Sequence, residues 1–279
     1  MVDKNFAALL TMALEEDLGS EGDITSRAIF SPHDTCRGVL KSKDRGVLCG
    51  QACFKEVFTR IDPAVSVEFL HGDGDELSPG DIVARISGRT VSVLSGERIS
   101  INFLGYLSGI ATAARACVRE AEKAGKTVIL DTRKTLPAYR RLAKYAVKTG
   151  GASNHRMGLY DMVLIKDNHI DAAGSITEAV SRIRKAYGKR FKVEVECRTP
   201  FEVHEAIDAG VDIIMLDNMT EDAVKESLAL RRGNVLFEVS GNMDLSKIGR
   251  YAALGVDFIS IGKLTHSVTS FDFSLVMER

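Results

Sequence analysis

Paired cysteines, long apolar runs, an excess of either charge and internal repeats are all missing from this 279-residue chain. The five cysteines (Cys36, Cys49, Cys53, Cys117, Cys197) are odd in number and scattered, which speaks against a disulfide framework. Cys49 and Cys53 lie four apart, yet no second Cys/His pair completes a zinc set. Reduced structural thiols in a cytoplasmic protein are the expectation. No apolar run approaches the length that spans a bilayer, and Met1–Leu18 carries acids where a signal peptide needs basic residues. Formal net charge is −1, so no global field draws nucleic acid or an anionic membrane. A chain of this length holds one large domain or two modest ones with real cores.

What the sequence does have is a local concentration of positive charge. Asp131-Thr-Arg-Lys134, Asn154-His-Arg156 and Lys166-Asp-Asn-His169 place Arg133, Lys134, Arg156 and Lys166, with His155 and His169, within forty residues. They adjoin the apolar runs Thr127–Leu130 and Met162–Ile165. Cations at strand ends are costly to desolvate without an anionic partner. A small ligand rich in carboxylate or phosphate is therefore expected.

Apolar spacing predicts a helix over Asn5–Leu18 that stops near Gly19. Short strands are expected around Arg37–Leu40, Gly46–Leu48, Val65–Phe69 and Ile82–Val93, then a long helix over Gly96–Ala124. After Gly125, the runs Thr127–Leu130, Met162–Ile165, Lys192–Cys197, Ile213–Leu216, Val235–Val239 and Phe258–Ile261 alternate with helical segments. That alternation implies parallel strands with right-handed crossovers, and too few of them for a closed eightfold barrel. An open barrel is the expectation. Asp131 to Lys134, Lys166, Glu196, Asp217, Ser240-Gly241 and Gly262 all fall at or just past the C-terminal end of a run, the edge where such barrels carry their chemistry.

The residue types suit particular ligands. Arginine forks match carboxylates and lysines act as point charges, so the four cations suit a dicarboxylate or a phosphorylated sugar. Glu194 and Glu196 share one face of their strand. Glu196 with Asp217 suits Mg²⁺, whereas Glu194 is left open between a structural ion pair and a supporting role. Ser240-Gly241 and Gly262 are turns where backbone N–H groups can approach a phosphate, and His266 either joins them or caps the following turn. His155 sits in a loop where a core role is not expected. From spacing alone, Arg98 reads as an exposed charge beside Glu97.

At these residues the chain resembles the quinolinate phosphoribosyltransferase family. The resemblance rests on Glu16-Asp-Leu-Gly19, Gly22-Asp-Ile-Thr25, Glu97-Arg98 with Leu107-Ser-Gly-Ile-Ala-Thr112, and Asp131-Thr-Arg-Lys-Thr135. It continues through Asn154-His-Arg-Met-Gly-Leu-Tyr-Asp161, Ile165-Lys-Asp-Asn-His169, Val193-Glu-Val-Glu196, Leu216-Asp-Asn218, Ile261-Gly262 and Thr265-His-Ser267. It implies an α/β chain with an N-terminal α/β sandwich domain (residues 1–112) and an open β/α barrel (113–266), the tail 267–279 packing back on the first. The implied reaction joins quinolinate to phosphoribosyl pyrophosphate with Mg²⁺, giving nicotinate mononucleotide, CO₂ and pyrophosphate. Arg133, His155, Arg156 and Lys166 match the family's quinolinate pocket, and Arg98 matches an arginine that a neighbouring subunit of a homodimer supplies. Lys134, Glu196 and Asp217 match positions for the sugar, Mg²⁺ and pyrophosphate; Ser240, Gly241 and Gly262 match the 5′-phosphate site, with His266 kept as a substrate-binding candidate beside them.

Two positions depart from the family pattern. Asn242 stands where Ser-Gly-Gly usually ends, and Ala152 where a third glycine precedes Asn-His-Arg. Asparagine tolerates positive φ better than most residues, so the turn can survive. The alternatives are a related transferase-like branch associated with molybdenum transport, a non-catalytic binder of pyridine dicarboxylates, and a Schiff-base aldolase built on Lys166.

Overall fold

The computed structural model describes residues 3–278. Met1, Val2 and Arg279, which the expected domain limits include, lie outside the described residues. The chain divides into two compact units: residues 1–115, 136–151 and 267–279, and residues 116–135 and 152–266.

In the first unit, helix Lys4–Leu18 starts at Asp3, whose carboxylate accepts the N–H groups of Asn5 and Phe6, and ends at Gly19 with φ 50°. These are the start and stop that a helix needs. Strands β1 (Thr35–Ser42), β3 (Ser66–Phe69), β5 (Ile82–Arg89) and β12 (Phe273–Met277) form an antiparallel sheet in the order β12-β1-β5-β3. The C-terminal tail thus returns to the first sheet, with Gly38 opposite Met277. Strands β2 (Gly46–Val47) and β4 (Glu76–Leu77) pair separately. Phe54, Phe58, Leu40, Val83, Ile86 and Leu104 form the core of this unit. Each such side chain, fully buried, contributes about 1.5–3 kcal/mol.

Three expectations are corrected. The strand expected over Ile82–Val93 ends at Arg89, and a single helix runs from Thr90 to Glu122. The β-branched Thr90, Val91 and Val93 favour a strand locally, but burial of Val93, Gly96, Ser100, Leu104, Leu107, Ala111 and Ala114 at three- and four-residue steps imposes the helical period. This helix is also long and apolar enough, by length and composition, to cross a membrane, contrary to the sequence expectation. Its apolar window is 61% buried within the protein, as in a soluble core helix. Finally, residues 136–151 leave the expected barrel segment and join the first unit. Helix Arg140–Thr149 buries Leu142, Ala143, Ala146 and Val147 there, Tyr139 stacks on Phe103 at 6.2 Å, and the Tyr145 hydroxyl donates to Asp73 at 2.7 Å.

The second unit is a six-stranded parallel sheet in the order β6-β11-β10-β9-β8-β7. The strands are β6 (Val128–Leu130), β7 (Val163–Ile165), β8 (Val193–Cys197), β9 (Ile213–Asp217), β10 (Leu236–Ser240) and β11 (Phe258–Ser260). β6, first in the chain, pairs with β11, the last, so the sheet stays open between β6 and β7. Leu130 bridges Ser153 in parallel across part of that opening, setting the segment that follows beside the sheet.

Gly150 tests the packing of residues 136–151. A Cβ there would lie 2.4 Å from the Ala111 carbonyl oxygen and 2.6 Å from the Ala114 Cβ. Gly150→Ala is expected to lower the melting temperature by several degrees, at about 2–4 °C per kcal/mol, in a thermal unfolding scan.

Candidate active site

The C-terminal ends of the parallel strands surround a cleft of about 560 Å³. Thr132, Arg133 and Lys134 follow β6, Lys166 follows β7, Glu196 and Asp217 come from β8 and β9, Ser240 ends β10 and Gly241 follows it; all line it together with His155 and Arg156. Gly262 joins through contact: a Cβ there would sit 3.1 Å from both Lys134 Cδ and His266 Cδ2. A Cβ there would make both side chains give way by a few tenths of an ångström. His169 does something else: its Nδ1 accepts the Lys166 backbone N–H at 3.0 Å and starts the next helix. Arg98 is exposed on the Thr90–Glu122 helix of the first unit and is not among the cleft-lining residues.

Arg156 is the most telling cation. It is buried, its Nη1 donates to the Met162 carbonyl at 3.1 Å, and its Nε has no partner among the described residues. Burial first, and then the like charge of Arg133, press its guanidinium below its ordinary pKa. Both effects are relieved by an anion in the cleft. Lys166 Nζ donates to Glu196 Oε2 at 2.7 Å, so this lysine is tied to a carboxylate rather than left as a lone amine for Schiff-base chemistry.

Asn218 Nδ2 donates to Asp217 Oδ2 at 2.8 Å, and Asn242 Nδ2 donates to Asn218 Oδ1 at 3.0 Å. Asn218 and Asn242 have φ of 53° and 47°, the left-handed conformation that asparagine tolerates. Asn242 thus takes up a left-handed backbone open to glycine as well, and its amide adds a tie to the neighbouring strand end. Glu196 Oε1 and Asp217 Oδ1 take no hydrogen bond among the described residues. Two carboxylates, each with an uncommitted oxygen, fit Mg²⁺, which completes its shell with water and substrate oxygens.

Below the cations lies a group that sequence reasoning missed. His155, expected to have no core role, has a side chain only 7% exposed. Its Nε2 lies 3.1 Å from Glu194 Oε2 and 3.7 Å from Glu238 Oε2. The signal was legible: Glu238 interrupts the apolar run Val235–Val239 as Glu194 interrupts Val193–Val195. Burial raises Glu194 to about 7, opposed chiefly by Arg156. Burial and then the Glu194 charge raise Glu238 to about 8.

Those raised values make stability depend on pH. The unfolded chain releases the Glu238 proton near pH 4.5 and the folded chain holds it to about 8, so this group's contribution falls as pH rises across that interval. Glu238→Gln, which cannot ionise, is expected to melt higher than wild type by a margin that grows from pH 5 to pH 8. Calorimetric scans at several pH values check this, and a constant margin would contradict it.

Known proteins were compared with this geometry. The family described as quinolinate phosphoribosyl transferase matches over its N-terminal domain at residues 23–108 and its C-terminal domain at residues 110–276. A probable nicotinate-nucleotide pyrophosphorylase (carboxylating) of Bacillus subtilis is 43% identical over 96% of this chain and 91% of its own length. The crystal structure of NadC from Streptococcus pyogenes superposes with a TM-score of 0.93 at 41% identity, covering 98% of this chain and 97% of that one. The nicotinate-nucleotide pyrophosphorylase from Francisella tularensis gives 0.94 at 36% identity, covering 98% and 96%.

Proposed function

The chain belongs to the quinolinate phosphoribosyltransferase family, and we propose that its cleft joins quinolinate to phosphoribosyl pyrophosphate. The reaction is that of a carboxylating nicotinate-nucleotide pyrophosphorylase, yielding nicotinate mononucleotide, CO₂ and pyrophosphate in de novo NAD synthesis. The observation that carries this reading is the buried, under-partnered Arg156 guanidinium beside Arg133 in a cleft that also holds Lys134 and Lys166. A monoacid would leave part of that charge uncompensated, whereas adjacent carboxylates match it. A passive dicarboxylate binder has no use for the acids Glu196 and Asp217 on the same rim.

The pyridine nitrogen forms its bond to the ribosyl anomeric carbon as the bond to pyrophosphate breaks. Arg133, Arg156 and Lys166 hold the two carboxylates so that the nitrogen faces the sugar. Lys134 meets charge developing on the departing pyrophosphate. Mg²⁺, held by Glu196 and Asp217, would supply further neutralisation of that leaving charge. Ser240, Gly241 and Gly262, with His266 nearby, take the 5′-phosphate through turn N–H groups and short side chains. The nitrogen is then cationic, so when the bond from C2 to its carboxylate breaks, the electron pair left on C2 is stabilised. That carbon takes a proton, and no covalent enzyme intermediate is needed.

The proposal includes a homodimer in which Arg98 enters the neighbouring subunit's cleft, and residence in the cytoplasm, where the free cysteines stay reduced. Purified protein with phosphoribosyl pyrophosphate and Mg²⁺ is expected to release equimolar CO₂ and nucleotide from quinolinate and to leave nicotinate unchanged; turnover of nicotinate instead would overturn the assignment. Arg98→Ala and Lys166→Ala variants, each inactive alone, are expected to recover about a quarter of wild-type activity when mixed and allowed to exchange subunits, because half of random dimers then carry one intact site. No recovery on mixing would place Arg98 outside the neighbour's site.

A further inference from the structure

His155, which lines the cleft, forms a buried group with two acids that phosphoribosyl transfer as described does not use, Glu194 and Glu238; the ligand-type atoms of the three all lie within 4.8 Å of one another. Such a group can be a metal site or a hydrogen-bonded support. The histidine decides between them. Its Nδ1 accepts the backbone N–H of Arg156 at 2.7 Å, so Nδ1 carries no proton. The neutral ring then keeps its proton on Nε2, which lies 3.1 Å from Glu194 Oε2, a close charged contact without hydrogen-bond alignment: the carboxylate oxygens of Glu194 and Glu238 are buried with no hydrogen-bond partner among the described residues. A metal ion would need the Nε2 lone pair, and that position already holds hydrogen.

We propose that Glu194 and Glu238 are positioning residues for the substrate's carboxylate pocket: they hold His155 in its Nε2–H tautomer, and His155 pins the backbone of Arg156. This rests on the cleft being the quinolinate site. Arg156 lies in a segment without regular secondary structure, so its position depends on discrete anchors. The His155 N–H donates to Asp131 Oδ1 at 2.9 Å, the Arg156 N–H to His155 Nδ1, and Arg156 Nη1 to Met162. Without an acceptor at Nε2 the ring is free to turn or to move its proton to Nδ1. A proton there would face the Arg156 N–H, donor against donor, and the backbone that carries the guanidinium would shift.

The surroundings show that the fold does not ask for these acids. The sheet partners of Glu194 are Leu164 and Ile213, and those of Glu238 are Met215 and Phe258. Apolar side chains in the same places would avoid the desolvation of two carboxyls. A local choice that works against stability at this depth, directly under a buried arginine, points to function.

The test uses the full-length protein with Glu194→Met and Glu238→Met, which match glutamate in length and lack an acceptor oxygen, and Glu194→Gln, which keeps one. Binding of quinolinate and of phosphoribosyl pyrophosphate is measured separately by calorimetry, and the His155 ring nitrogens by ¹⁵N NMR. For Glu194→Met, quinolinate affinity is expected to fall about ten- to a hundredfold, as misplacement of a binding group by a fraction of an ångström commonly costs. Phosphoribosyl pyrophosphate affinity should stay within about twofold, the melting temperature should hold or rise, and the Nε2–H signature should be lost. Glu194→Gln should restore quinolinate binding. Should Glu194→Met fail to fold, Glu238→Met carries the same comparison. The proposal is overturned if quinolinate affinity is unchanged, if both ligands weaken in parallel, or if wild-type His155 carries its proton on Nδ1. Failure of the wild-type protein to bind quinolinate would sink the functional reading instead, while the tautomer measurement would still decide the support of Arg156.

Discussion

Desolvated positive charge held at one end of a parallel sheet is the constraint on which the site depends. Arg156 is buried beside Arg133, with Lys134 and Lys166 on the same rim. Like charges in a low-dielectric cleft repel, and burial adds to the cost. The protein meets this partly from within. Glu196 takes Lys166, and Glu194 lies under Arg156 as the main opposing charge. The remainder is left for the ligand. A site that is electrostatically incomplete until a dianion arrives binds that dianion in preference to a monoacid, because the second carboxylate replaces repulsion that would otherwise persist.

The sheet makes this arrangement precise. Parallel strands send their C-terminal ends to one side, so residues from β6 to β11, more than a hundred positions apart in the chain, meet at a single rim. The register places Ser240 opposite Asp217, and the Asn218 N–H donates to the Ser240 carbonyl at 2.9 Å. Adjacent turns are therefore tied by backbone as well as by side chains. Gly241, at φ 95°, lies so near the Asn218 amide that a Cβ would come within 2.3 Å of its oxygen. The Ser240-Gly241 turn and the end of the Asp217 strand are therefore in direct contact.

Much of this was legible in the sequence, for identifiable reasons. All six parallel strands fall within one residue of their expected limits, because each is an apolar run that ends in a polar group at the rim. Arg133, Arg156, Lys166, Glu196 and Asp217 stood out as candidates because charged residues at such ends have few structural uses, and all five line the cleft. What escaped was decided by packing between distant segments. Val91 and Val93 favour a strand until the buried face of the long helix is counted. Residues 136–151 follow the first barrel strand in sequence, yet the amphipathic face of Arg140–Thr149 is buried in the other unit. His155 sits in a polar stretch, and only the fold puts Glu194 and Glu238 behind its ring.

Those two acids show how the site is divided into layers. The rim residues are exposed or half-buried: Lys134 and Lys166 are long point charges, and Lys166 is held to Glu196. The floor is rigid. Asp131 is fully buried and accepts the His155 N–H, while His155 accepts the N–H of Arg156. A planar guanidinium discriminates among anions only if its fork is fixed, since a mobile fork adapts to any carboxylate. Under the proposed function, selectivity for adjacent carboxylates falls to the floor and the departing pyrophosphate to the rim. On the proposal above, the two acids are tolerated in the core because they steady Arg156, the buried cation of the cleft.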